Sequence, residues 1–204
     1  MKLTDQEIKV FYSTKTDPQI LSIPLFKHIT LEGKGDPNQA DFAVAMEAIY
    51  SMTYAIKMSY KKDNPPAGYY EYKVFPLEGE WDLVDKTKPV TDKSNFAYKI
   101  MIQQPDFVNQ MLFDTYLATL KKKKDNPKLS LLKYEEISDG LCCQMVHLGP
   151  YDNEPASFEK MEQFCREHGF VRSCKKHKEI YLSDPRKSAP EKLKTILRFK
   201  VEKS

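Results

Sequence analysis

The alternating residues His177, Glu179, Tyr181 and Ser183 are the clearest chemical signal in this chain. If residues 177–183 form a strand, period two puts these four on one face and Ile180 and Leu182 on the other. A carboxylate between an imidazole and a phenol has two uses. It can occupy a solvated sheet surface, or it can line a cleft where desolvation raises its pKa toward general-base range. Spacing leaves both open. A second set lies at 69–81, where Tyr69, Tyr70, Tyr72, Glu78, Glu80 and Trp81, the single tryptophan, crowd together. Such clusters stack flat ligands or cations, although any one ring can equally belong to the core or the sheet surface.

Other chemistries find little support. There is no GxSxG, no P-loop, no GxGxxG opening a helix and no HExxH, and Gly33-Lys34-Gly35 is too short to cradle a phosphate. His28, His147, His168 and His177 are scattered without ligand spacing, so neither a metal nor a cofactor is expected. Cys142, Cys143, Cys165 and Cys174 form no CxxC pair and read as unpaired cytosolic thiols.

The elements that must position these residues come from a chain of 204 residues, 41% hydrophobic and 12% aromatic, which excludes a long disordered protein. Its net charge is +3, and the lysine run 121–124 before Asp125-Asn126-Pro127 reads as a solvated turn, so no nucleic-acid partner is expected. No stretch approaches the ~20 apolar residues of a membrane span, and the first 15 residues lack a signal peptide's apolar region. A cytoplasmic protein without membrane association, a monomer or weak dimer, is the expectation.

Residues 1–20 show no sustained period and read as an extension. A strand at 25–31 leads to Asp36-Pro37, read as N-cap and first helical residue. Phe42, Ala45, Met46, Ile49, Met52, Ile56 and Tyr60 then line a helix ending before Asn64. Alternation at 69–75 leading into 76–81 reads as two strands or one bent strand, and Gly79 marks a bulge or close approach. Residues 83–95 read as linker and 96–103 as strand, and Pro105 opens a helix with Val108, Met111, Leu112, Thr115 and Leu120 on one side. The second half reads as a strand at 141–148, a helix opened by Asn153-Glu154-Pro155 and stopped by Gly169, and strands at 177–183 and 193–201. At an offset of 116, Gly33, Asp36, Ala40 and Phe42 fall on Gly149, Asp152, Ala156 and Phe158. Two strand–helix–strand–strand units about a pseudo-twofold axis would have helices on one face and a concave surface on the other.

The blocks YKVFPLEGEW (72–81), KIMIQQP (99–105), HLGPY (147–151) and HKEIYLSDP (177–185), in this order, resemble the stand-alone GyrI-like small-molecule binding proteins. The likeness spans about residues 20–203. It implies an α+β fold, a duplicated strand–helix–strand–strand (SHS2) module with an antiparallel sheet and a central ligand channel between the repeats. That module is also the effector domain of multidrug-sensing regulators. No helix-turn-helix candidate precedes it, so the domain is expected on its own, as residues 21–204: repeat 1 at 21–105, a connecting helix at 106–124 and repeat 2 at 131–203. Some stand-alone members hydrolyse cyclopropanoid DNA-alkylating compounds through a central glutamate, which by motif is Glu179. Trp81, Tyr72 and Tyr181 would then stack on the flat substrate, and Glu78 from the aromatic and acidic cluster and His177 from the alternating strand join them as ligand-binding candidates. Glu80 stands where the block usually has an apolar residue and implies a more acidic channel, suited to a cation. Two readings follow: a xenobiotic hydrolase with Glu179 as base, or a non-catalytic multidrug-binding module that sequesters aromatic or cationic compounds.

Overall fold

The computed structural model describes residues 4–61, 65–89 and 91–204. Its elements in chain order are α1 (Asp5–Phe11), β1 (Gln19–Lys34), α2 (Ala40–Lys57), β2 (Leu77–Leu83), β3 (Phe96–Gln104), α3 (Gln110–Lys123), β4 (Lys133–Leu148), α4 (Glu154–Glu167), β5 (Phe170–Arg172), β6 (His177–Tyr181) and β7 (Lys194–Lys203). The fold is α+β with antiparallel strand pairing. Two compact units share the chain, with a boundary inside β1 and another inside β4. Among the described residues no helix is long and apolar enough to cross a membrane.

The first unit holds Phe26–Phe75 and Leu83–Ile137. Within it β1 pairs with β3 from Lys27↔Gln104 to Lys34↔Ala97. Both strands are rich in β-branched and aliphatic residues, and Ile29, Leu31, Ile100 and Ile102 are at most 1% exposed. Helix α2 packs against β3 and α3 and buries Ala45, Ile49, Met52 and Ile56 of the expected stripe together with Ala48 and Thr53, whereas Tyr60 lies beyond the helix and is exposed. The helix start differs from expectation. Asp36 Oδ1 accepts the Asn38 amide in a turn (2.9 Å), and Gln39 is the N-cap. The helix ends at Lys57 and gives way to a tight turn at Met58–Lys61, so it stops before Asn64 as expected.

Residues 69–75 form no strand, despite their alternation. Tyr69 Oη instead donates to the Lys57 carbonyl (2.8 Å), and the tyrosines gather around Phe107. Helix α3 starts later than Pro105, at an Asn109 cap whose Oδ1 accepts the Leu112 amide (2.9 Å). It buries Phe113, Tyr116 and Leu120, and Met111, assigned to its inner side, is 77% exposed. Val108, read as the first residue of the inner side, lies instead in the turn before the helix.

The second unit holds Leu3–Leu25, Pro76–Asp82 and Ser138–Ser204. The polar N-terminal stretch contributes α1, closed by a Thr4–Glu7 capping box that amphipathic periodicity could not reveal in seven residues. Strand β6 pairs with β2 and β7, and β7 pairs also with β4 and with the short β5, which the sequence did not announce. Helix α4 lays Met161 and Cys165 on Cys143, Met145, Leu197, Phe199 and Val201, with Phe158 at the margin. On the opposite face Val146, Ile180 and Ile196 pack with Tyr12. Cys142 and Cys143 therefore point to opposite faces, and all four thiols are free, with Cys174 alone exposed.

Gly149 ends β4 at φ 114° and Gly35 ends β1 at φ 110°, values that L side chains rarely adopt. These two glycines play the same part after a long strand and before a helix. Gly33, which the offset of 116 aligned with Gly149, lies inside β1 opposite Tyr98.

Candidate functional site

The site is assembled on one face of the second unit by strict alternation along β6. Buried Lys178 and Ile180 take one side, and half-buried His177, Glu179 and Tyr181 take the other. Strand β2 brings Leu77 opposite Tyr181, Gly79 opposite Glu179 and Trp81 opposite His177, so four of the expected site residues share a face. A chain of donors runs across it. Trp81 Nε1 donates to Tyr181 Oη (2.9 Å), and Tyr181 Oη donates to Glu179 Oε2 (2.8 Å). His177 Nε2 lies 3.1 Å from Glu179 Oε1, so both carboxylate oxygens are engaged. Burial, and then the Glu179 charge, hold the Tyr181 phenol well above the usual range. That phenol is therefore a donor and not a base near neutrality.

Gly79 makes the arrangement possible. A Cβ there would lie 2.7 Å from Trp81 Nε1 and 3.1 Å from Tyr181 Oη, too close for the two rings to keep their hydrogen bond. The sequence reading of close approach at this glycine was correct, and the approach is by side chains. Two further rings, absent from the sequence-derived set, extend the wall. Tyr151 meets Tyr181 edge-on at 6.0 Å and Phe158 meets the His177 ring at 4.8 Å. They come from the HLGPY turn and from α4. His147 fixes both, because its Nε2 must donate to the Pro150 carbonyl (3.0 Å), leaving Nδ1 to meet Ser157 Oγ on α4 (2.9 Å).

The same turn delivers a second carboxyl that the sequence reading used only as a helix opener. Glu154, the first residue of α4, is 6% exposed, and its Oε1 is buried with no hydrogen-bond partner. Glu154, His177 and Glu179 each bring one polar atom within 4.8 Å of the others, the one such set among the described residues. Burial first, then the charges of Glu179 and Asp152, push the Glu154 carboxyl up to about 9. We assign no metal to this set. The His177 Nε2 and both Glu179 oxygens are already engaged in hydrogen bonds within the site.

Two expected residues stand elsewhere. Glu78, which the alternation puts on the reverse face, is 2% exposed and pairs with Lys178 (3.2 Å) beside Asp139 and Arg198. Lys178 Nζ donates to both Asp139 oxygens (3.0 and 2.8 Å), and Arg198 reaches Asp139, Gln144 and the Phe11 carbonyl. Two acids and two bases thus compensate one another there, and Glu78 is placed in an ion-pair network, away from the Glu179 face. Glu80 shares the reverse side and pairs with Lys176, so it does not sharpen the acidity around Glu179. Tyr72 belongs to the first unit, where it packs with Tyr69, Tyr70 and Phe107 and carries the Lys57 ammonium over its ring (4.9 Å).

A carboxylate with two donors on the strand HKEIY is thus flanked by rings and answered by LEGEW. The GyrI-like small-molecule binding domain matches residues 16–202. The chain belongs to this family. A conserved protein of Listeria innocua of known structure is 36% identical, with 97% of this chain and 98% of that one covered and a TM-score of 0.90. A hydrolase of Listeria innocua is 34% identical over 97% of both chains, with a TM-score of 0.89. The C-terminal domain of EcmrR shares the fold at 13% identity, covering 92% of this chain and 98% of that one at a TM-score of 0.54. A comparison with curated protein sequences finds no match.

Proposed function

We propose that this GyrI-like protein binds flat aromatic or amphipathic molecules against the Trp81, Tyr181 and Tyr151 rings and hydrolyses those carrying a strained, electrophilic cyclopropane. The observation that carries this reading is the Glu179 carboxylate, half-buried on a ring-bearing face and held by two donors. The likeness to a Listeria innocua hydrolase supports catalysis over sequestration alone. Each ring that stacks on a ligand adds about 0.5–1.5 kcal/mol beyond its buried area.

The chemistry is general-base hydrolysis. Glu179 takes a proton from water as the water oxygen bonds to a cyclopropane carbon. The ring C–C bond breaks, and its electron pair moves through the conjugated dienone to the carbonyl oxygen, which becomes a phenolate and is protonated by solvent. Glu179 then returns its proton to bulk water. The net change is addition of one water, with no covalent enzyme intermediate and no cofactor.

The test incubates wild type and Glu179→Gln with a spirocyclopropyl-dienone alkylator and follows the water adduct by mass spectrometry under multiple turnover. The expected result is adduct formation by wild type and a loss of about 10²–10⁴-fold in the variant, whose binding of the compound persists. Equal rates would remove Glu179 from the mechanism. Binding without turnover by wild type would make the protein a sequestering module.

A further inference from the structure

We propose that Glu154 is a second carboxyl of this centre and works as the uncharged partner of ionised Glu179, the two holding between them the water that Glu179 deprotonates. This rests on the hydrolase reading above and adds a residue to it. Glu154, His177 and Glu179 present polar atoms within 4.8 Å of one another, a span that one water can bridge. The Glu154 Oε1 is buried and without a hydrogen-bond partner, so it is an acceptor awaiting a donor.

Which carboxyl carries the proton follows from the partners of each. Glu179 is met by the Tyr181 hydroxyl and the His177 ring, so each of its oxygens already has a hydrogen-bond partner. Glu154 has neither, and its neighbours are the charges of Glu179 and Asp152 and the rings of Tyr151 and Tyr181. Its place at the start of α4 favours the charged form, an effect confined to the helix end and too small to offset burial beside another carboxylate. Among the described residues no lysine or arginine is paired with it; Lys178, next to Glu179 in sequence, points to the reverse face.

In this arrangement the water donates one hydrogen to Glu179 and the other to the carbonyl oxygen of Glu154, leaving a lone pair for the substrate. Glu154 keeps its proton throughout. Were it ionised, a second negative charge would stand beside the developing hydroxide and oppose it. The burial-shifted Glu154 carboxyl places that loss near pH 9.

The experiment compares pH–rate profiles of wild type, Glu154→Gln and Glu154→Ala with the same alkylator, and in parallel measures the carbonyl stretch of a protonated carboxylic acid by infrared difference spectroscopy. Wild-type turnover is expected to fall on the alkaline side with a midpoint near pH 9. Glutamine keeps a neutral acceptor but not the acid, so Glu154→Gln should lose less turnover at neutral pH than Glu154→Ala and should lack that alkaline limb. Alanine removes the acceptor and should cost about 10²-fold. The acid band should be present at neutral pH in wild type and in Glu179→Gln and absent in Glu154→Gln. An unchanged alkaline limb in Glu154→Gln, or no acid band in wild type, overturns the proposal. A wild-type band without turnover defeats the hydrolase reading and the water-holding role together, leaving only an uncharged buried carboxyl.

Discussion

Gly79 shows how one missing side chain can organise a site. Its Cα lies opposite Glu179, and the empty space above it is filled by the Trp81–Tyr181 hydrogen bond. Gly79→Ala would push a methyl to 2.7 Å from the indole nitrogen, so the indole must move and the donor chain to Glu179 loses its first link. Overpacking of this kind costs about 1–3 kcal/mol. Urea unfolding should show that loss, and calorimetry with a flat aromatic ligand should show weaker binding. A variant with wild-type affinity would mean that the Trp81–Tyr181 contact plays no part in binding. At this scale the sequence was informative wherever partners are near in the chain: His177, Glu179 and Tyr181 are two apart on a strand, and period two alone aligned them. Glu154 was invisible because its partner is 25 residues away in sequence, and only the turn fixed by His147 brings it over Glu179.

Among the elements, α4 carries the heaviest duty, since it both seals the core and delivers Glu154 and Phe158. Met161 is wholly buried against the β4–β7 strands. Met161→Ala should cost about 2–5 kcal/mol in thermal or urea unfolding. It should also loosen the site, raising KM for a ring-bearing substrate more than it lowers kcat. Legibility at this scale followed burial pattern. α2 and α4 were readable because their inner stripes are apolar and continuous. α3 was misaligned because Val108, buried in the turn before the helix, looked like its first inner residue. The alternation at 69–75 was misread because its rings bury against Phe107 and α2 instead of pairing in a sheet.

For the whole molecule, the reverse face of β6 sets the response to pH. Burial opposes the ionisation of Asp139, but the charges of Lys178 and Arg198 outweigh it and hold the carboxyl below its usual value. Burial likewise opposes the charge of Lys178, and Glu78 and Asp139 outweigh it and raise the ammonium. A lowered acid contributes stability that is lost as pH falls through its folded-state value, and a raised lysine contributes stability that is lost as pH rises through its own. The network therefore supports the fold between roughly pH 4 and pH 10. Glu154 has the opposite sign for an acid: its contribution is complete below its unfolded value and declines as pH climbs toward about 9. Lys178→Ala leaves two buried carboxylates under-compensated and should cost about 3–5 kcal/mol near neutrality. Chemical denaturation at several pH values would measure this, and a penalty below about 1 kcal/mol would reduce the network to the worth of a surface pair.

The lone tryptophan has a practical consequence. Its indole N–H is tied to the phenol that touches Glu179, so all indole emission from this chain originates at the ring wall. The protein thus carries its own optical reporter: the wavelength and lifetime of that emission register what enters the ring wall, with no dye attached and no second indole to subtract.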